Sequence, residues 1–189
     1  DILPVGIFAF SNAMNYFPGH IIRGCLTSAC FSVPGMRHIY TWARAGSVDR
    51  KSINRLLEKK YSPTLCPGGA HEVTFMTAPD SDDVVLYLRS RLGMVKIAAQ
   101  HGVPIIPTFA FNHRPAYSFF VPQSKLLHKI GRKILGFIPL FFFGAGNLPF
   151  GQPKPCPITL VVGKPIQIPK MEGNVEKEVL QPYLDEVIA

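Results

Sequence analysis

Apolar positions along the chain alternate between short continuous runs and stripes at helical spacing. Ile2–Phe10 is a continuous run suited to a buried strand. Pro34–Arg44 places Met36, Ile39, Tyr40 and Ala43 at helical spacing, with proline near its start. Asp49–Lys60 predicts a second helix. Asp49 can cap it, Ile53, Leu56 and Leu57 form one face, and Arg or Lys fill the other. Thr64-Leu65-Cys66 reads as a strand end that Pro67-Gly68-Gly69 must turn. Asp80–Asp83 is an acidic turn, and Val84–Gln100 reads as helical for much of its length, with His101-Gly102 as its stop. Val103–Phe111 is again strand-like, and Pro104 and Pro107 place it at an edge or a pocket rim. Ile158–Gly163 is a β-branched strand followed by an extended Pro165–Pro169 segment, and Glu172–Val187 is a closing amphipathic helix interrupted at Pro182. Strands alternating with helices predict an α/β fold, a mixed sheet with helices on both faces.

Composition changes this picture in one direction. Of 189 residues, 47% are apolar and only 17% charged, below the usual ~25% for globular domains. Fourteen are phenylalanine and the net charge is +8. Such a balance suits a domain that rests against lipid or holds a large apolar ligand. A basic surface attracts anionic lipid, nucleic acid or phosphate-bearing small molecules. The Lys and Arg are scattered and no recognition motif accompanies them, so nucleic-acid binding is set aside. No window reaches the ~18–20 apolar residues of a spanning helix. The greasiest run, Ile134–Phe143, carries Pro139 and reads either as a buried strand or as an interfacial membrane segment. Cys25, Cys30, Cys66 and Cys156 lack metal-ligand or disulfide spacing and are expected as reduced thiols, with no metal site. The length fits one domain over 1–189. Asp1 in place of Met and a helical pattern still running at Ala189 predict a fragment cut at both ends.

The stretch that carries chemistry is Gly68-Gly69-Ala70-His71-Glu72. Two glycines after a strand let backbone N–H groups approach an anion or a developing oxyanion, and Glu72 then falls at the strand's carboxyl end. Alone this is a weak motif. Further blocks follow in order: Val48-Asp49-Arg50 leading into Ile53, Leu56 and Leu57; Arg91–Ala98 with His101-Gly102; Val103–Phe111; and Pro157–Ile166. Together these five blocks resemble the type 2 diacylglycerol acyltransferase family, with its monoacylglycerol and wax-ester relatives, over nearly the whole chain.

The resemblance implies a glycerolipid-acyltransferase-like fold and an O-acyltransferase that moves a fatty acyl group from acyl-CoA to a neutral glycerolipid hydroxyl. It implies acyl-CoA as co-substrate with no further cofactor, and the cytosolic face of the endoplasmic reticulum membrane as the place of work. Oligomeric state is left open, a homo-oligomer included. Glu72, Gly68, Gly69 and His71 are the candidate catalytic residues; Arg50, Arg91 and Lys96 are candidate contacts for CoA phosphates. One departure stands out. The family's His-Pro-His-Gly motif is matched by Leu3-Pro4-Val5-Gly6, so both histidines that would serve as general base are gone. Ala145 stands where an Arg is usual, and Asn112-His113-Arg114 replaces Gly-Glu-Asn. A catalytically silent lipid- or partner-binding relative is therefore the alternative. Among the histidines, His71 and His20 are candidate substitute bases; His38, His113 and His128 read as surface or packing residues, and His101 as a structural helix end.

Overall fold

The segment Ile22–Leu26 forms the centre of a small parallel sheet because Ile22, Gly24 and Cys25 bury while Arg23 and Leu26 are only half-buried. It is seen in a computed structural model, which describes residues 17–32, 36–68, 88–112, 114–120, 124, 141–148, 153–173 and 175–188. In chain order the elements are β1 (Ile22–Leu26), α1 (Ser28–Ser32), α2 (Met36–Trp42), β2 (Gly46–Ser47), α3 (Arg50–Glu58) and β3 (Ser62–Thr64). Then come α4 (Leu92–His101), β4 (Thr108–Phe111), β5 (Ser118–Phe120), β6 (Phe141–Phe143), β7 (Thr159–Val162) and α5 (Lys177–Ile188).

The fold is mixed α/β, as expected, with its parallel and antiparallel pairings in separate sheets among the described residues. β1 lies between β2 and β3, parallel to both, pairing Cys25 with Gly46 and Ile22 with Ser62. β4 pairs antiparallel with β7, Phe109 opposite Val161, and β5 pairs antiparallel with β6. The last three residues of the greasy run are thus strand, while Ile134–Leu140 lie outside the described residues. The Ile2–Phe10 run and the Asp80–Asp83 turn also lie outside them.

The core is built on α4. Val95, Ala98 and Ala99 pack with Ile166 and Ile168 and with Leu180 and Leu184 of α5. Small Ala98 and Ala99 let the chain after β7 come close enough for the Met171 N–H to donate to the Ala99 carbonyl at 2.8 Å.

Three expected boundaries shift. Helix α4 begins only at Leu92: the Arg91 N–H donates to Leu88 at 2.8 Å, closing a turn at residues 88–91 that the apolar pattern does not reveal. The strand expected over Val103–Phe111 is continuous only from Thr108. Pro104 and Pro107 lack the N–H a ladder needs, so before it only Ile105 makes a reciprocal pair, exchanging bonds of 3.0 and 2.8 Å with Ile166. The last helix starts at Lys177 and runs through Pro182 without interruption. An interior proline costs ~3 kcal/mol, whereas burying Leu180 and Leu184 contributes about 1.5–3 kcal/mol each. Pro182 is exposed, so the missing bond falls on the solvent side.

Candidate functional site

Because β1, β2 and β3 are mutually parallel, the segments leaving their carboxyl ends all start from one edge of the sheet. After β1 comes α1; after β2 come Asp49 and α3; after β3 come Leu65, Cys66, Pro67 and Gly68. This edge is where open α/β sheets place their ligands.

At the start of α3 the Asp49 carboxylate caps the helix. One oxygen accepts from the Ser52 N–H at 2.8 Å and the other from the Ser52 hydroxyl at 2.8 Å. The Ser47 hydroxyl, then these two bonds, hold its carboxyl below the usual range. Arg50 follows, exposed, at the first helical position. Behind the edge, burial and then the Asp49 charge push the Cys25 thiol up to about 11, against a lowering hydrogen bond to the Thr64 backbone. At neutral pH Cys25 is a protonated thiol and makes no nucleophile. The Arg23 guanidinium stacks over the Tyr61 ring, 4.7 Å from its centroid.

Helix α4 meets the glycine block at its start and α3 at its end. The Arg91 Nη2 donates to the carbonyl of buried Gly68 at 3.2 Å, across 23 positions of sequence. At the other end, His101 Nε2 lies 3.2 Å from Asn54 Oδ1 on α3. Three of the sequence blocks are therefore joined through one helix: the glycine block by Arg91, the α3 block by His101. The other two pair with each other along β4 and β7. Gly163 belongs to that junction. Its N–H donates to Pro107 at 2.8 Å, and a Cβ there would stand 2.9 Å from the Pro107 ring.

The diacylglycerol acyltransferase family model matches residues 1–186, nearly the whole chain. The chain belongs to the diacylglycerol acyltransferase family. It is 32% identical to diacylglycerol O-acyltransferase 2 of Rattus norvegicus over 176 residues, 86% of this chain and 44% of the relative. It is 32% identical to diacylglycerol O-acyltransferase 1 of Schizosaccharomyces pombe, covering 88% of this chain and 50% of the relative. Likewise it is 32% identical to acyl-CoA wax alcohol acyltransferase 2 of Homo sapiens, covering 88% and 52%. The chain thus spans about half the length of these curated relatives. No solved structure matches it.

Within this member of the diacylglycerol acyltransferase family the expected site residues fall into three groups. Gly68 and Arg91 are brought together. Arg50 and Lys96 lie on separate helices, Arg50 exposed on α3 and Lys96 half-buried on α4. Gly69, His71, Glu72 and the Leu3-Pro4-Val5-Gly6 stretch lie outside the described residues. Of the departures from the family pattern, Asn112 has a structural use. It adopts φ of 58° and its side-chain amide donates to the Pro157 carbonyl at 2.8 Å, tying the end of β4 to the approach to β7. Asn54 was missed from sequence. It is 47 positions from His101, and nothing local distinguishes it from the other polar residues of its helix.

Proposed function

We propose that this chain is the catalytic part of an O-acyltransferase that moves a fatty acyl group from acyl-CoA to the hydroxyl of a neutral glycerolipid, working at the cytosolic face of the endoplasmic reticulum membrane. The observation that carries the reading is the bond from Arg91 to Gly68, which holds the first residue of the glycine block just beyond the carboxyl end of β3. In this reading the acceptor hydroxyl attacks the thioester carbonyl, and backbone N–H groups at Gly68 and Gly69 stabilise the oxyanion. The tetrahedral intermediate then collapses and expels the CoA thiolate, which takes up the proton lost by the hydroxyl. Glu72 and His71 are the groups of that block able to carry the proton. Arg50 and Lys96 serve the phosphates of CoA, which is the co-substrate; no further cofactor enters.

A second reading, a silent relative that holds lipid or a partner without turnover, is favoured by one observation. Leu3 and Val5 cannot accept a proton. Acyl transfer from radiolabelled acyl-CoA to mono- and diacylglycerol separates the two. The enzyme reading expects activity in the parent, lost in Glu72→Gln, which keeps shape and removes charge. Full activity in Glu72→Gln would remove Glu72 from the mechanism. An inactive parent that gains about 10²-fold or more in Leu3→His/Val5→His, the low end of general-base catalysis, supports the silent relative with an otherwise intact site.

A further inference from the structure

We infer that the outer face of α2, with the turn that follows it, is the surface by which this domain sits on an anionic lipid bilayer, Trp42 entering the headgroup layer. The inference rests on the membrane setting of the proposed function, but it concerns residues that the acyl-transfer reading does not use.

The inner side of α2 is already occupied. Tyr40 is half-buried and its ring meets Phe31 of α1 edge-on, with centroids 5.9 Å apart. Its outer side carries Arg37, His38, Thr41 and Trp42, all exposed, and exposed Arg44 follows in the turn. Trp42 is 79% exposed, the most exposed of the large apolar side chains among the described residues. It is also the only tryptophan in the chain. An indole left in water loses both its apolar burial and the amphipathic setting it favours. At a bilayer interface the ring meets acyl chain and headgroup together.

Charge decides what the face meets. Between Asp1 and Asp49 the chain contains no Asp or Glu, while Arg23, Arg37 and Arg44 are all cationic. Asp49 itself is engaged by Ser52 at the start of α3. The His38 ring lies 6.5 Å from the Trp42 indole, on the same outer side. An aromatic anchor flanked by cations with no local acid is complementary to anionic headgroups.

The single tryptophan makes the test direct. The chain is mixed with vesicles of phosphatidylcholine alone, or with phosphatidylserine added, and Trp42 emission is followed. The expected result is a blue shift with anionic vesicles, quenching by bromine-labelled acyl chains, and a much weaker response to neutral vesicles. Replacing Arg37→Gln and Arg44→Gly together is expected to lower partitioning on the order of 30-fold, and to do so without harming the fold. Arg44 occupies a left-handed position, φ 57°, that glycine adopts freely, so loss of binding in that variant is not loss of structure. Trp42→Phe, followed by flotation, is expected to bind more weakly than the parent. Flotation with unchanged Trp42 emission would overturn the inference, since another face would then be docking. So would failure to float with either vesicle, equal response to neutral and anionic vesicles, or a blue shift produced by an acidic polypeptide but not by lipid. None of these readouts depends on acyl transfer, so an inactive chain that passes them leaves this inference standing and the catalytic one overturned.

Discussion

Cys25 illustrates how much a single buried atom contributes to the behaviour of this fold. It sits 2% exposed in the central strand of the parallel sheet, and its thiol titrates at about 11 against an ordinary value of 9.0. Burial disfavours the thiolate, and the Asp49 carboxylate disfavours it further. The unfolded chain ionises this thiol first, so the native state is at no disadvantage below pH 9 and loses ground as pH rises towards 11. The loss amounts to on the order of 2–3 kcal/mol. Denaturant unfolding of the parent and of Cys25→Ala across pH 8–11 checks this. The variant starts less stable because packing is lost, but its stability is expected to fall less steeply; parallel curves would mean that Cys25 does not titrate as described. At the same scale, the Asp49 cap is a residue that sequence showed plainly, since Asp before an apolar-periodic run has few other uses. Asn54 could not be seen that way, because its value lies in a partner 47 positions distant.

At the scale of elements, α2, α3 and α4 end in the same manner. In each, a residue in left-handed conformation closes the helix: Arg44 at φ 57°, Lys60 at 58° and Gly102 at 62°. The following N–H reaches back to the last turn, Ala45 to Tyr40 and Tyr61 to Leu56 at 2.9 Å, and Val103 to Ala98 at 3.1 Å. Only Gly102 announced itself. For Arg or Lys the conformation costs roughly 1–2 kcal/mol, partly offset by a cation near the negative end of the helix dipole. Lys60→Gly is therefore expected to raise stability by about 0.5–1 kcal/mol, measured as a shift in the denaturant midpoint. Gly102→Ala is expected to lower it by about 2 kcal/mol or more, because a Cβ there would stand 2.8 Å from the Lys170 Cβ as well as being strained. If the loss in Gly102→Ala only equals the gain in Lys60→Gly in size, backbone conformation alone sets the position and the Lys170 contact is immaterial.

At the scale of the molecule, α4 holds the parts together. Arg91 at its start binds Gly68, His101 at its end binds Asn54, and its core face packs against α5. Arg91→Met is expected to cost about 1–3 kcal/mol in denaturant unfolding, since it leaves the Gly68 carbonyl without this donor, and Arg91→Lys is expected to recover part of it. An arginine kept only for a ligand would leave stability unchanged on removal, or raise it. By itself the sequence determined the family, the α/β class, the helices over α2 and α3, the Gly102 stop and the strand at β7. Each of these is written in local signals: apolar period, a capping Asp, a terminal Gly, β-branched runs, and motif blocks in fixed order. Tertiary structure decided where α4 begins, that Pro104 and Pro107 confine the strand expected over Val103–Phe111 to its last four residues, and that α5 passes through Pro182. It also decided that Arg91 serves the glycine block and that Trp42 faces outward. These follow from packing between segments far apart in the chain, where a proline's cost is set against two buried leucines and an arginine's partner is a carbonyl 23 positions away. No local pattern encodes that balance, because the competing energies belong to contacts that exist only once the chain is folded.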